Sequence, residues 1–188
     1  IYVHESIAAQ FTERLTERMS ALKVGDGTDP SVDVGPLVNA DTRDKVAEFV
    51  SDALAKGAKL ECGGVVPNGK GFFYPPTVLS NVPENADCVH DEIFGPVAAI
   101  QTFADEEDAI RRANDTEYGL VAYVFSRDFK RAMQVCERLD YGMVGLNRGL
   151  VSDPAAPFGG TKQSGLGREG GHEGMLEFME TQYISADW

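Results

Sequence analysis

The stretch LVAYVFSRDFKRAMQVCERLDYGMVGL, residues 120–146, decides the fold. It reads as a strand from Leu120 to Phe125, a helix from Asp128 to Leu139 and a second strand from Gly142 to Leu146. Moving outward, the same rhythm continues: a helix from Asp105 to Asn114, short apolar strands at Thr77–Leu79 and Pro96–Thr102, and a strand at Lys59–Cys62. Val46, Val50 and Leu54 form the buried stripe of another helix, with Asn39 placed to cap it and Gly57 to end it. A first helix from Ser6 to Lys23 carries Ile7, Phe11, Leu15 and Leu22 near helical spacing until Gly25 stops the pattern, and Ile1-Tyr2-Val3 reads as a strand before it. Strands alternating with helices predict an α/β fold: a mostly parallel sheet covered by helices on both faces, joined by right-handed crossovers.

The 188 residues suffice for one sizeable domain. Thirty acidic against seventeen basic residues, a net charge of -13, would repel phosphate backbones and anionic membrane surfaces, so no nucleic acid or membrane partner is expected. No apolar run approaches the roughly 18 to 20 residues that span a bilayer. The chain is expected to be soluble. Three widely spaced cysteines, Cys62, Cys88 and Cys136, fit reduced thiols in a cytoplasmic protein better than a disulfide framework.

The last forty residues break the alternation. A Gly-rich loop from Asn147 to Gly167 runs into a short helix near Glu169 to Met179, and Gln182 to Ala186 reads as a final exposed strand, whose unpaired backbone another chain's sheet edge could satisfy.

Within the loop, Gly165-Leu166-Gly167-Arg168-Glu169-Gly170 satisfies the dinucleotide fingerprint G-x-G-x-x-G. Its context rejects that reading: a polar loop precedes it, and no βαβ unit with an acidic residue about 20 positions on can follow. These glycines are expected to supply positive-φ conformations to a folded-back loop. Cys88, His90, Asp91 and Glu92 are too close in sequence to converge on one metal ion, so no metal is expected. Glu92 itself reads in two ways. It is a solvated charge ahead of a strand, or a carboxylate that accepts paired hydrogen bonds from a ligand diol beside the apolar wall of Phe94.

Several landmarks occur in one order: Gly35-Pro36-Leu37-Val38-Asn39, Gly71 to Leu79, Glu92-Ile93-Phe94-Gly95-Pro96, Asn114 to Leu120, Gly145-Leu146-Asn147 and the run Pro157 to Gly171. With them the chain resembles the C-terminal part of the aldehyde dehydrogenase superfamily. The segment Asn147 to Pro154, leading into Pro157-Phe158-Gly159-Gly160 and Lys162 to Gly170, resembles succinate-semialdehyde dehydrogenases most.

The resemblance implies a role for each candidate residue. Glu92 would hold the hydroxyls of the nicotinamide ribose of NAD or NADP, and Phe94 would pack nearby to orient the ring. Phe158 would line the substrate tunnel, and Ser152 would help bind the distal carboxylate of a small-molecule aldehyde. Arg148 is a candidate second contact to that carboxylate, since a guanidinium pairs bidentately with such groups, and its place in the loop equally suits a surface salt bridge. In this family a cysteine thiolate attacks the aldehyde, hydride passes from the thiohemiacetal to NAD(P)+, and a glutamate serves as base for hydrolysis of the thioester. The resemblance places that cysteine a few residues ahead of Ile1 and leaves the base glutamate and the cofactor-binding domain outside this sequence. Residues 1–178 would then be catalytic-domain sequence without its nucleophile, inactive alone, and 179–188 an oligomerisation strand for a homodimer or homotetramer.

Overall fold

The computed structural model describes all 188 residues, which fall into two compact units, residues 1–106 and 107–188. The first contains β1 (Tyr2–His4), α1 (Glu5–Ser20), α2 (Ala40–Ala55), β2 (Lys59–Cys62), β3 (Thr77–Ser80), α3 (Asp87–His90), β4 (Val97–Ala99) and β5 (Gln101–Phe103). Its two long helices begin where the sequence offers caps. The Asn39 side chain accepts the Thr42 amide at 2.8 Å, satisfying one of the donors a helix start leaves open. His4 does the same for α1 through Nδ1 and the Ser6 amide.

β3 is buried along its whole length because it is hydrogen-bonded on both edges and covered on both faces. Successive side chains of a strand point to opposite faces. Leu79 accordingly joins Val46, Val50 and Ala53 of α2, with Val97 and Ala99 of β4 alongside. Val78, with Ala98 and Ile100, joins Val3 and the α1 residues Ala8, Phe11, Leu15 and Met19. The expectation of helices on both faces therefore holds for this sheet. The core-facing stripe of α1 keeps Phe11 and Leu15 as expected, but Ile7 and Leu22, the latter beyond the helix, are exposed, and Ala8 and Met19 complete it.

The pairings are mixed. β3–β4 and β1–β5 are parallel, with β4 and β5 interrupted only at Ile100, whose amide still bonds Leu79 O. β2 runs antiparallel to β3 with a register shift at Cys62. The reason is local: no helix separates β2 from β3, only the Gly- and Pro-rich loop 63–76, and parallel neighbours need a crossover.

The second unit contains α4 (Glu106–Asn114, which starts at the boundary), β6 (Tyr118–Gly119), β7 (Val121–Val124), α5 (Phe129–Arg138), β8 (Met143–Leu146), β9 (Thr161–Lys162) and α6 (Glu173–Leu176). β7, α5 and β8 form the expected parallel βαβ unit, in register from Val121 with Met143 to Val124 with Leu146. Asp128 caps α5 by accepting the Arg131 amide at 3.0 Å. A bidentate ion pair from Arg138 to Glu107 links α5 to α4.

The helix expected near 169–179 is confined to four residues. Residues 180–188 carry no strand, and Phe178, Tyr183, Ile184 and Trp188 are exposed. A strand needs a ladder partner, and none within the chain reaches Gln182–Ala186. No helix is long and apolar enough to cross a membrane.

Candidate active site

In the first unit, the segment carrying Glu92 is built on α2. α3 is a single turn whose N-cap is Ala86, a residue with no side chain to cap it. Asp52 of α2 supplies the missing acceptor: its Oδ2 takes the Asp87 amide at 2.9 Å. Lys56, the C-cap residue of α2, places Nζ 2.7 Å from Asp52 Oδ1 and 2.7 Å from Asp87 Oδ1. Its hydrogen bonds hold the Asp52 carboxyl below its ordinary pKa, and the two aspartates raise that of Lys56. The Asp52 contribution is therefore present above the ordinary carboxylate value and lost as pH falls through its lowered one. That of Lys56 is present below the ordinary lysine value and lost as pH rises through its raised one. Asp52 and Lys56 therefore both stay charged throughout the neutral range.

Beyond the cap, His90 Nε2 donates to Glu84 O at 2.8 Å, and Cys88, Val89 and Ile93 pack on the α2 cluster. Burial pushes the Cys88 thiol pKa up, against the thiolate a nucleophile would need. The Gly95 amide donates to Ile93 O at 2.9 Å, closing a tight turn. Glu92 and Phe94 thus stand two residues apart on an anchored segment, and both are exposed, Phe94 to 70%. The Glu92 carboxylate takes no part in the bonds that fasten its neighbours. A free acceptor pair beside an exposed aromatic face fits a ligand diol and ring. No group of three or more His, Cys, Asp and Glu side chains is arranged to hold a metal.

In the second unit the chain leaves β8 through Asn147, in the left-handed region at φ 52°. Its side chain makes a reciprocal pair with the Ser126 backbone, Oδ1 accepting from N and Nδ2 donating to O, each at 2.9 Å. That pair fixes the start of the loop carrying Arg148 and Ser152, both exposed. Phe158 is partly buried and pairs with Glu169 through two backbone bonds of 2.7 Å, so the motif 165–170 folds back on the loop that precedes it. Gly165, Gly167 and Gly170 have φ of 99°, 84° and 67°, as expected of a loop whose glycines serve conformation.

Phe158 lines a cleft of about 540 Å³ with Leu120, Ser164, Leu166 and Arg168. Ser152 and Arg148 do not line it. The Arg168 guanidinium is committed to the Gly160 and Gly167 carbonyls, at 2.8 and 2.6 Å. Lys162, which the sequence reading assigned no role, is a further fastener. From a left-handed backbone at φ 54° its Nζ reaches Asn114 O at 2.9 Å, Thr116 O at 3.2 Å and the Asp140 carboxylate at 3.1 Å.

Comparison with known proteins agrees with these landmarks. The pattern of the aldehyde dehydrogenase family matches residues 1–184. The chain belongs to that family. Among aldehyde dehydrogenases, a succinate-semialdehyde dehydrogenase of Paenarthrobacter nicotinovorans is 53% identical over 97% of this chain and 40% of its own length. An NADP(+) succinate-semialdehyde dehydrogenase of Escherichia coli K12 is 46% identical over 98% of this chain and 38% of its own. The crystal structure of succinate-semialdehyde dehydrogenase from Burkholderia pseudomallei superposes with a TM-score of 0.92 at 48% identity, covering 94% of this chain and 37% of that one. The chain thus spans about two fifths of the length of the aldehyde dehydrogenases it matches.

Proposed function

We propose that this chain is the cofactor-orienting and substrate-lining part of an NAD(P)+-dependent aldehyde dehydrogenase that oxidises succinic semialdehyde to succinate. The observation that carries the reading is the Glu92 turn, an exposed carboxylate with both oxygens open on a segment anchored from beneath, beside the exposed ring of Phe94. A nicotinamide dinucleotide, when bound, supplies the hydride acceptor. Glu92 would accept hydrogen bonds from two ribose hydroxyls, and Phe94 would limit the tilt of the ring; both act by positioning. Phe158 would present an apolar wall to the aldehyde chain. Ser152, and Arg148 with it, would meet the distal carboxylate.

On this reading the nucleophilic cysteine and the base glutamate are supplied by other parts of the enzyme, and these 188 residues alone are expected to form no NAD(P)H from aldehydes. The exposed apolar side chains at 178–188 and the unpaired backbone there suit strand addition to a second subunit, giving a homo-oligomer.

The test is the complete enzyme with Ser152→Ala. KM for succinic semialdehyde is expected to rise about 10-fold, the worth of one hydrogen bond to a carboxylate. KM for butyraldehyde, which lacks the carboxylate, should not move. Equal effects on both aldehydes, or none on either, would remove Ser152 from the substrate site.

A further inference from the structure

The Glu92 segment is fastened to α2 at both ends, with His90 adding a bond to Glu84 O between them. At its start Asp52 caps α3 from outside and Lys56 bridges the two aspartates. In its middle Cys88, Val89 and Ile93 pack on the core cluster that includes Val46, Val50 and Ala53. At its end Gly95 sits so close to α2 that a Cβ there would lie 2.7 Å from Val46 Cγ2. The apolar part holds the segment against the core. The polar part sets the orientation of α3: the Val89 amide is bonded within the turn, to Ala86 O, but the alanine cap offers no side-chain acceptor, so the Asp87 amide depends on Asp52. Lys56 also makes the arrangement electrostatically possible, since without it the Asp52 and Asp87 carboxylates would face each other with like charge.

We propose that Asp52 and Lys56 are positioning residues for the cofactor: by capping α3 from α2 they hold Glu92 where the nicotinamide ribose meets it. The inference rests on the reading of Glu92 as a ribose ligand. Opening the cap leaves the core cluster packed and spreads Glu92 over several orientations. Apparent affinity then falls by the fraction of molecules still competent, while the aldehyde contacts in the other unit are untouched. A surface ion-pair cluster contributes little to global stability, so the loss should be local.

The experiment uses the complete enzyme with Lys56→Met, Asp52→Ala, the double variant and Lys56→Arg, alongside Glu92→Gln. Lys56→Met and Asp52→Ala are each expected to raise cofactor KM about 3- to 10-fold. The double variant should be no worse than the worse single one, because the two residues act as one device. Lys56→Arg should restore most of the affinity, and aldehyde KM and thermal midpoint should stay at wild-type values in all four. Unchanged cofactor KM in both single variants, with Glu92→Gln raising it, overturns the clamp and leaves the cofactor reading standing. A parallel rise in both KM values with a fall in the thermal midpoint also overturns it, since that marks a structural role alone. If Glu92→Gln itself leaves cofactor KM unchanged, the cofactor reading falls and the clamp falls with it.

Discussion

Gly142→Ala is expected to lower stability by about 3 kcal/mol or more, beyond the usual range for adding a single methyl group to a packed site. The added Cβ would lie 2.0 Å from Gly159 O and 2.7 Å from Gly160 Cα. Both are backbone atoms, so no side chain can swing aside. Relief must come from moving the strand start at Met143, held in register by β7, or the Gly159–Gly160 segment, held by the Phe158–Glu169 pairing and by Arg168. The loop is the weaker of the two. A thermal midpoint lowered by roughly 6–12 °C is the stability readout for a chain of this size. Phe158, next to the displaced carbonyl, should lose its place in the cleft, and aldehyde KM should rise in the complete enzyme. Gly149→Ala is the control: nothing lies within 4 Å of the added carbon, so the change should stay within about 0.5 kcal/mol.

Gly63→Ala combines two penalties in the first unit. Gly63 has φ +74°, where an L side chain is strained by about 1–2 kcal/mol. The new Cβ would also meet Pro76 O at 2.3 Å and Thr77 Oγ1 at 2.4 Å. Thr77 is fully buried, and its hydroxyl is satisfied twice, donating to Pro75 O and accepting from Gly64 N, each at 2.8 Å. Pushing that hydroxyl away leaves buried polar groups without partners, at about 1–3 kcal/mol. The expected total is roughly 2–5 kcal/mol, measured by the shift in urea midpoint at constant slope. A loss under about 1 kcal/mol would show that the loop after β2 adapts more freely than its contacts indicate.

The two glycines also mark where the sequence was legible and where it was not. The βαβ unit of residues 120–146 could be read because its helix is bounded by Asp128 and its flanking strands are apolar runs. Lys59–Cys62 was readable as a strand, but its direction was not, because direction depends on what fills the loop to β3. The α1 stripe was right at Phe11 and Leu15 and wrong at its two ends, because Ala8 and Met19 carry less hydrophobic signal than Ile7 and Leu22. β6 and β9, two residues each and far apart in sequence, leave no periodic trace.

Glu92, Phe94 and Phe158 were visible as members of motifs, and the positive-φ role of Gly165, Gly167 and Gly170 followed from their context. Their supports were hidden. Asp52 and Lys56 read as an ordinary i,i+4 pair on a helix surface, and only the fold brings Asp87 to them. Lys162 bonds mostly to backbone carbonyls, which have no sequence signature.

The most direct test of the central claim is a crystal structure of the complete enzyme with its nicotinamide dinucleotide bound. Both Glu92 carboxylate oxygens are expected within about 2.5–3.0 Å of the two nicotinamide-ribose hydroxyls, with Phe94 beside the ring. A bound dinucleotide whose ribose is held by other groups, with Glu92 left facing solvent, would contradict it.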